Sequence, residues 1–116
     1  MMLPHPPPDQ IDLATVLAVL GDSTRLAILG DLARQEGRAL TCSHFSDLTS
    51  KSNLTYHVAK MREAGIVRVE PRGTSRLITL RRADLDARFP GLLDSIIATA
   101  INLPPPEKRP VLEEEG

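Results

Sequence analysis

With 116 residues, a net charge of -1 and 41% hydrophobic content, the chain can bury one modest core. A single cysteine rules out a disulfide within the chain, and one Tyr, two Phe and no Trp are too few for a platform that stacks single-stranded bases. No apolar run reaches the roughly 18 residues of a membrane span and no secretory signal pattern opens the chain, so the expectation is a cytoplasmic protein with no membrane partner.

Residues 1–8 hold four prolines, and residues 104–116 hold four more with an acidic run at 113–115. Both segments read as disordered or extended tails around one structured domain at 9–103. Within it, a first helix is expected over 11–20, with Ile11, Val16, Leu17 and Leu20 apolar. Asp22, Ser23 and Thr24 offer N-caps for a second helix through Arg34, whose seam is Leu26, Ile28, Leu29 and Leu32 and whose end is marked by Gly37. The stretch 41–48 is short and only weakly periodic.

The stretch 51–82 is the richest in information. Leu54, Val58, Met61 and Gly65 follow one another at spacings of four, three and four, so they share the inward face of a helix over 51–64. Ser52, Asn53, Thr55, Tyr56, Ala59, Lys60 and Glu63 take the other faces. Ser50 or Ser52 can cap the start, and Gly65 suits a left-handed end. A β-branched run at 66–70 and an alternating run at 76–81 then flank turn residues 71–75, which is a hairpin signal. Short hydroxyl and amide side chains near a helix N-terminus suit base edges and phosphates. Arginines at a hairpin tip beside such a helix suit the DNA backbone or minor groove. A solvated helix face and an ordinary charged turn are the plainer alternatives. Charge favours the first reading, because residues 51–88 hold nine Lys or Arg against four Asp or Glu on a nearly neutral chain.

Pro90 and Gly91 precede a last helix over 92–101. Its apolar rows of Leu92, Leu93, Ile96, Ile97, Ala100 and Ile101 are wide enough to lie on the chain's own core or against a second copy.

Three strings, LGDSTRLAIL at 20–29, SKSNLTYHV at 50–58 and MREAGIV at 61–67, lead in order into a hairpin centred on Gly73. Together they resemble the ArsR/SmtB family of bacterial winged-helix transcription regulators over about 60 residues. Tyr56 departs from that family's pattern, standing where a first histidine precedes the position of His57. The resemblance implies a mainly α fold with a small β-hairpin (α+β). This is a winged helix-turn-helix of about five helices and a two-stranded wing, with 41–48 as the positioning helix. It implies a double-stranded DNA operator and a homodimer that reads an inverted repeat. The residues expected at DNA are Lys51, Ser52, Asn53, Thr55, Tyr56, Lys60 and Arg62 on the helix, with Arg72, Thr74 and Arg76 on the wing. Those expected between subunits are Ile11, Leu13, Leu17, Leu92, Leu93, Ile96, Ile97 and Ala100.

Many relatives of that family bind metal. Here the candidates for a transition metal such as nickel or zinc are Cys42, His44 and Asp47, with His5 from a second copy. The second cysteine of one family site is absent, and between 92 and 103 only Asp94 could serve the other. The expectation is therefore no cofactor. Ser43, His44 and Asp47 lie too close along one short segment to form a catalytic triad, and isolated glycines make no phosphate loop, so no enzymatic activity is expected. The alternative to a DNA reader is a winged-helix interaction module or co-regulator that needs a partner protein.

Overall fold

The computed structural model describes residues 3–35 and 38–102. Carboxylates start the first two helices. Asp12 caps α1 (Leu13–Leu20), its Oδ2 accepting the Thr15 N–H at 3.0 Å and the Thr15 hydroxyl at 2.9 Å. These bonds hold the Asp12 carboxyl below the usual carboxylate range. Asp22 caps α2 (Ser23–Arg34) through the Arg25 N–H at 3.0 Å. The first helix thus begins two residues later than expected, which leaves Ile11 outside it. Gly37, expected to end α2, lies outside the described residues.

The stretch expected as a positioning helix is instead a two-residue strand, β1 (Leu40–Thr41), and a single 3-10 turn, Cys42–Phe45. Phe45 is buried and pins that turn to the core. A two-residue strand is too short to show an alternating pattern, which is why the sequence gives no sign of it.

Ser50 caps α3 (Lys51–Glu63), accepting the Asn53 N–H at 3.3 Å. Leu54, Val58 and Met61 are buried, as their spacing requires. The helix closes in a Schellman motif, with the Gly65 N–H donating to the Arg62 carbonyl at 3.0 Å and the Ile66 N–H to the Met61 carbonyl at 2.9 Å. Gly65 has φ +85°, and a Cβ there would lie 2.6 Å from Ile11 Cγ1. Both the backbone and the packing therefore require glycine.

β2 (Val67–Arg72) and β3 (Ser75–Leu80) form the hairpin, in register from Val67 opposite Leu80 to Arg72 opposite Ser75. The loop is only Gly73-Thr74, with positive φ at glycine alone, as a type II′ turn requires of its first central residue. β1 pairs with β3 on its other side, so among the described residues the expected two-stranded wing is extended to a three-stranded antiparallel sheet in the order β1-β3-β2. β2 is an edge strand, which is where Pro71 can be tolerated.

α4 (Arg82–Arg88) was not expected; at seven residues it is too short for its periodicity to show. α5 (Leu92–Ala100) follows Gly91 and packs closely on α2, where a Cβ at Gly30 would lie 3.5 Å from the Ala100 carbonyl oxygen. Among the described residues, five α-helices and the hairpin-bearing sheet make a winged helix-turn-helix α+β fold. Among the described residues, no single helix is long and apolar enough to cross a membrane.

Residues 3–8, expected to be disordered, are docked instead. Arg62 Nη1 donates to the Pro4 carbonyl at 2.6 Å and Arg81 Nη1 to the Pro6 carbonyl at 2.9 Å. His5 Nε2 accepts the outward Val69 N–H of the β2 edge at 3.0 Å, and Leu3 packs against the core. Arg88 closes the seam with two bonds to the Ile11 carbonyl, at 3.2 and 2.7 Å. Proline has no N–H to satisfy, so this segment presents mostly acceptors, and the arginines supply the donors. The segment expected as a tail at 104–116 lies outside the described residues.

Candidate nucleic-acid interface

Burying Leu54, Val58 and Met61 turns the opposite face of α3 outward. Lys51, Ser52, Asn53, Thr55 and Tyr56 are all exposed on it. The Thr55 hydroxyl donates to the Lys51 carbonyl at 3.0 Å, which leaves its oxygen available as an acceptor. Lys60 is half-buried, its ammonium 5.6 Å from the centre of the Tyr56 ring. On the wing, the tight turn puts Arg72, Thr74 and Arg76 in solvent.

Helix and wing face each other across a cleft of about 310 Å³. Lys51 and Thr55 border it from α3, Thr74 and Arg76 from the wing, and Thr41 and Cys42 from below. Its lining is basic, with Lys51, Arg62 and Arg76 and no acidic residue. The side chains of Arg72 and Arg76 make no hydrogen bond or ion pair among the described residues. The cleft is thus a concave, positively charged face with hydroxyl groups, suited to a polyanion.

Arg62, expected at phosphates, belongs mainly to the interior. Its side chain is only 13% exposed and is tied to Pro4 and to Glu63. The expected subunit interface also needs correction. Ile11, Leu93, Ile97 and Ala100 are buried in the chain's own core. Leu13 and Leu17 remain 43% and 47% exposed, and Leu92 and Ile96 are half-buried. α1 is short and contacts the core through Val16 and Leu20, so its Leu13–Leu17 side is left over.

The metal candidates do not assemble within one chain. Among the described residues no three His, Cys, Asp or Glu side chains gather as a metal site. His44 lies 3.7 Å from Asp31, the His5 ring nitrogen is occupied by Val69, and the Cys42 thiol is pushed up by burial, with Arg76 opposing.

Sequence reasoning did not foresee the role of Arg25. From α2 its Nε donates to His57 Nδ1 at 3.0 Å and its Nη1 to the Val19 carbonyl at 3.0 Å. Its guanidinium also lies 5.7 Å from the centre of the Tyr56 ring. It locks α3 against the first two helices and fixes His57 as an acceptor. No local pattern signals a pair 32 residues apart.

Comparison with known proteins agrees with this anatomy. A family model described as a helix-turn-helix domain matches residues 20–70, which span α2, β1, α3 and the start of β2. The uncharacterized HTH-type transcriptional regulator YceK of Bacillus subtilis (strain 168) is 29% identical over 90 residues, covering 76% of this chain and 88% of that protein. The chain carries a winged helix-turn-helix domain, a DNA-binding kind of domain and not an enzymatic one.

Proposed function

We propose that this protein is a dimeric, cytoplasmic transcription regulator of the ArsR/SmtB type that binds a specific inverted repeat in double-stranded DNA. The observation that carries this reading is the shared cleft. The exposed N-terminal half of α3 and the wing tip border one basic concavity, so a duplex can meet both at once. α3 lies in the major groove, with Ser52, Asn53, Thr55 and Tyr56 toward base edges and Lys51 and Lys60 toward phosphates. Arg72, Thr74 and Arg76 take the adjacent backbone or minor groove. The transcriptional role is supported by the B. subtilis relative.

The dimer is supported by the leftover apolar side of α1, Leu13 and Leu17, and by Leu92 and Ile96 on α5. A two-fold pair would set two recognition helices about one DNA turn apart. The reading needs no cofactor.

Selecting genomic fragments with the purified protein, between about 50 and 300 mM salt, tests the proposal. The expected result is an enriched inverted repeat whose affinity falls steeply with salt. Thr55→Ala and Tyr56→Ala should change which sequence is enriched. Weak, uniform binding without enrichment would point instead to a module that works through a partner protein. Light scattering on the eluting species tests the dimer, and a monomer at tens of micromolar removes the inverted repeat. Repeating the selection with nickel, zinc and a chelator asks whether a metal acts on it.

A further inference from the structure

Tyr56 stands on α3 with 53% of its surface exposed, yet its ring does not choose its own direction. The Arg25 guanidinium lies 5.7 Å from the ring centre and the Lys60 ammonium 5.6 Å from it, both within cation–π range. The His57 ring adds a T-shaped contact at 5.6 Å between centres. Lys60 comes from the same helix on a flexible four-carbon stem, so it follows the ring more than it places it. Arg25 comes from α2 and is itself held at two points. Its Nε donates to His57 Nδ1 and its Nη1 to the Val19 carbonyl, each at 3.0 Å. A planar guanidinium fixed through two donors is a rigid surface for the ring beside it. We propose that Arg25 is the positioning residue for Tyr56, selecting the ring orientation that reads a base and so setting sequence preference.

The neighbouring elements do not fix the ring by crowding. Ala14, Thr15 and Ala18 of α1 border an open hollow shared with Tyr56, Arg25 and Lys60. Such small side chains leave the ring room to swing. A tyrosine on a helix otherwise divides between two χ1 wells, at about 180° and about −60°. A ring held in one well before binding loses less entropy at the DNA and accepts fewer base pairs than one that can turn to suit each. This role rests on the DNA reading above and adds to it a residue of α2 that reads no base itself.

The test compares the parent, Arg25→Lys and Tyr56→Ala as full chains. Lysine keeps the charge and loses the planar fork, so attraction to DNA is held constant while positioning is removed. In the free protein, NMR couplings report the Tyr56 χ1 angle. One rotamer is expected in the parent and a mixture of two in Arg25→Lys, with unchanged amide signals from α5 showing an intact fold. In selection from genomic fragments, Tyr56→Ala identifies the base pair that depends on the ring. Arg25→Lys should lower discrimination at that base pair by at least about fivefold, with the salt slope unchanged. Added to Tyr56→Ala, it should change nothing further. If Arg25→Lys does not fold, His57→Leu removes the acceptor of Nε and should give both effects in smaller measure. His57→Asn, which sets an oxygen near the place of Nδ1, should restore the parent behaviour. A single Tyr56 rotamer in Arg25→Lys and His57→Leu, or an equal loss of affinity at every sequence, would overturn the proposal and leave Arg25 as a link between helices. A parent that selects no sequence removes the DNA reading and the effect on specificity with it, while the rotamers still decide whether Arg25 places the ring.

Discussion

The N-terminal segment and the wing tip look alike in sequence. Each is short and contains proline or glycine, and arginines lie beside both once the chain is folded. In the fold they differ. At the wing, the side chains of Arg72 and Arg76 stand in solvent with no hydrogen bond or ion pair among the described residues. At the N-terminal seam, Arg62, Arg81 and Arg88 turn inward and hold the carbonyls of Pro4, Pro6 and Ile11. A guanidinium beside unmatched carbonyls satisfies them, whereas one beside an exposed two-residue turn is left to solvent. Counting arginines in the sequence therefore overstates the charge offered to a partner. Of the nine basic residues in 51–88, Arg62, Arg81 and Arg88 hold the seam, and Arg82 is paired with Asp94.

Substitutions at the seam should cost stability, and those at the wing should cost affinity. The largest effect is expected from Gly65→Ala, which places a Cβ against Ile11 in a left-handed conformation. Strain and overpacking together should lower the unfolding free energy by about 2–4 kcal/mol, read from urea denaturation. If the loss is below about 1 kcal/mol, Ile11 is not fixed as described.

Arg81→Ala comes next. Its side chain is 3% exposed, pairs with Asp84 at 2.9 Å and holds Pro6, so its removal should cost about 2 kcal/mol. The same denaturation measurement checks it, and a neutral outcome would mean that the seam adds nothing to stability.

The wing substitutions reverse the pattern. Arg72→Ala or Arg76→Ala should leave stability within about 0.5 kcal/mol of the parent. Each should weaken DNA binding about fivefold to tenfold and make the salt slope shallower by about 0.9. Unchanged affinity and slope in both variants would remove the wing from the interface.

The smallest effect belongs to His5. Burial first, then the positive charges of Arg68, Arg62 and Arg81, hold its pKa below 6.5. The unfolded chain therefore takes up the proton before the folded one does. The stability His5 contributes is fully present above about pH 6.5 and is lost as the pH falls through its lower folded value. His5→Ala should flatten this acid-side loss relative to the parent, seen by comparing urea midpoints between pH 7.5 and 5. Parallel curves for the two proteins would mean that His5 is not held in this buried, positively charged setting in solution.

The recognition helix and the hairpin were legible because their causes are local. Leu54, Val58 and Met61 recur at helical spacing, Ser50 caps, Gly65 terminates and Gly73 turns, each within a few residues of what it controls. By contrast, β1 shows no signal, because its two residues become a strand only when β3 arrives from nearly 40 positions away to pair Leu40 with Ile78. The width of the α5 apolar stripe did not reveal which rows face the chain's own core. Leu93, Ile97 and Ala100 turned out to be buried there, since Gly30 lets α2 approach so closely.

Local patterning specified α2, the inward and outward faces of α3 and the tight wing, because periodicity, capping and turn chemistry act over single turns of chain. Tertiary contacts set which arginines remain available to a partner, that residues 3–8 are docked, and that helix and wing border one basic cleft. Those outcomes depend on groups brought together across as many as 77 residues, and no local pattern encodes such a meeting.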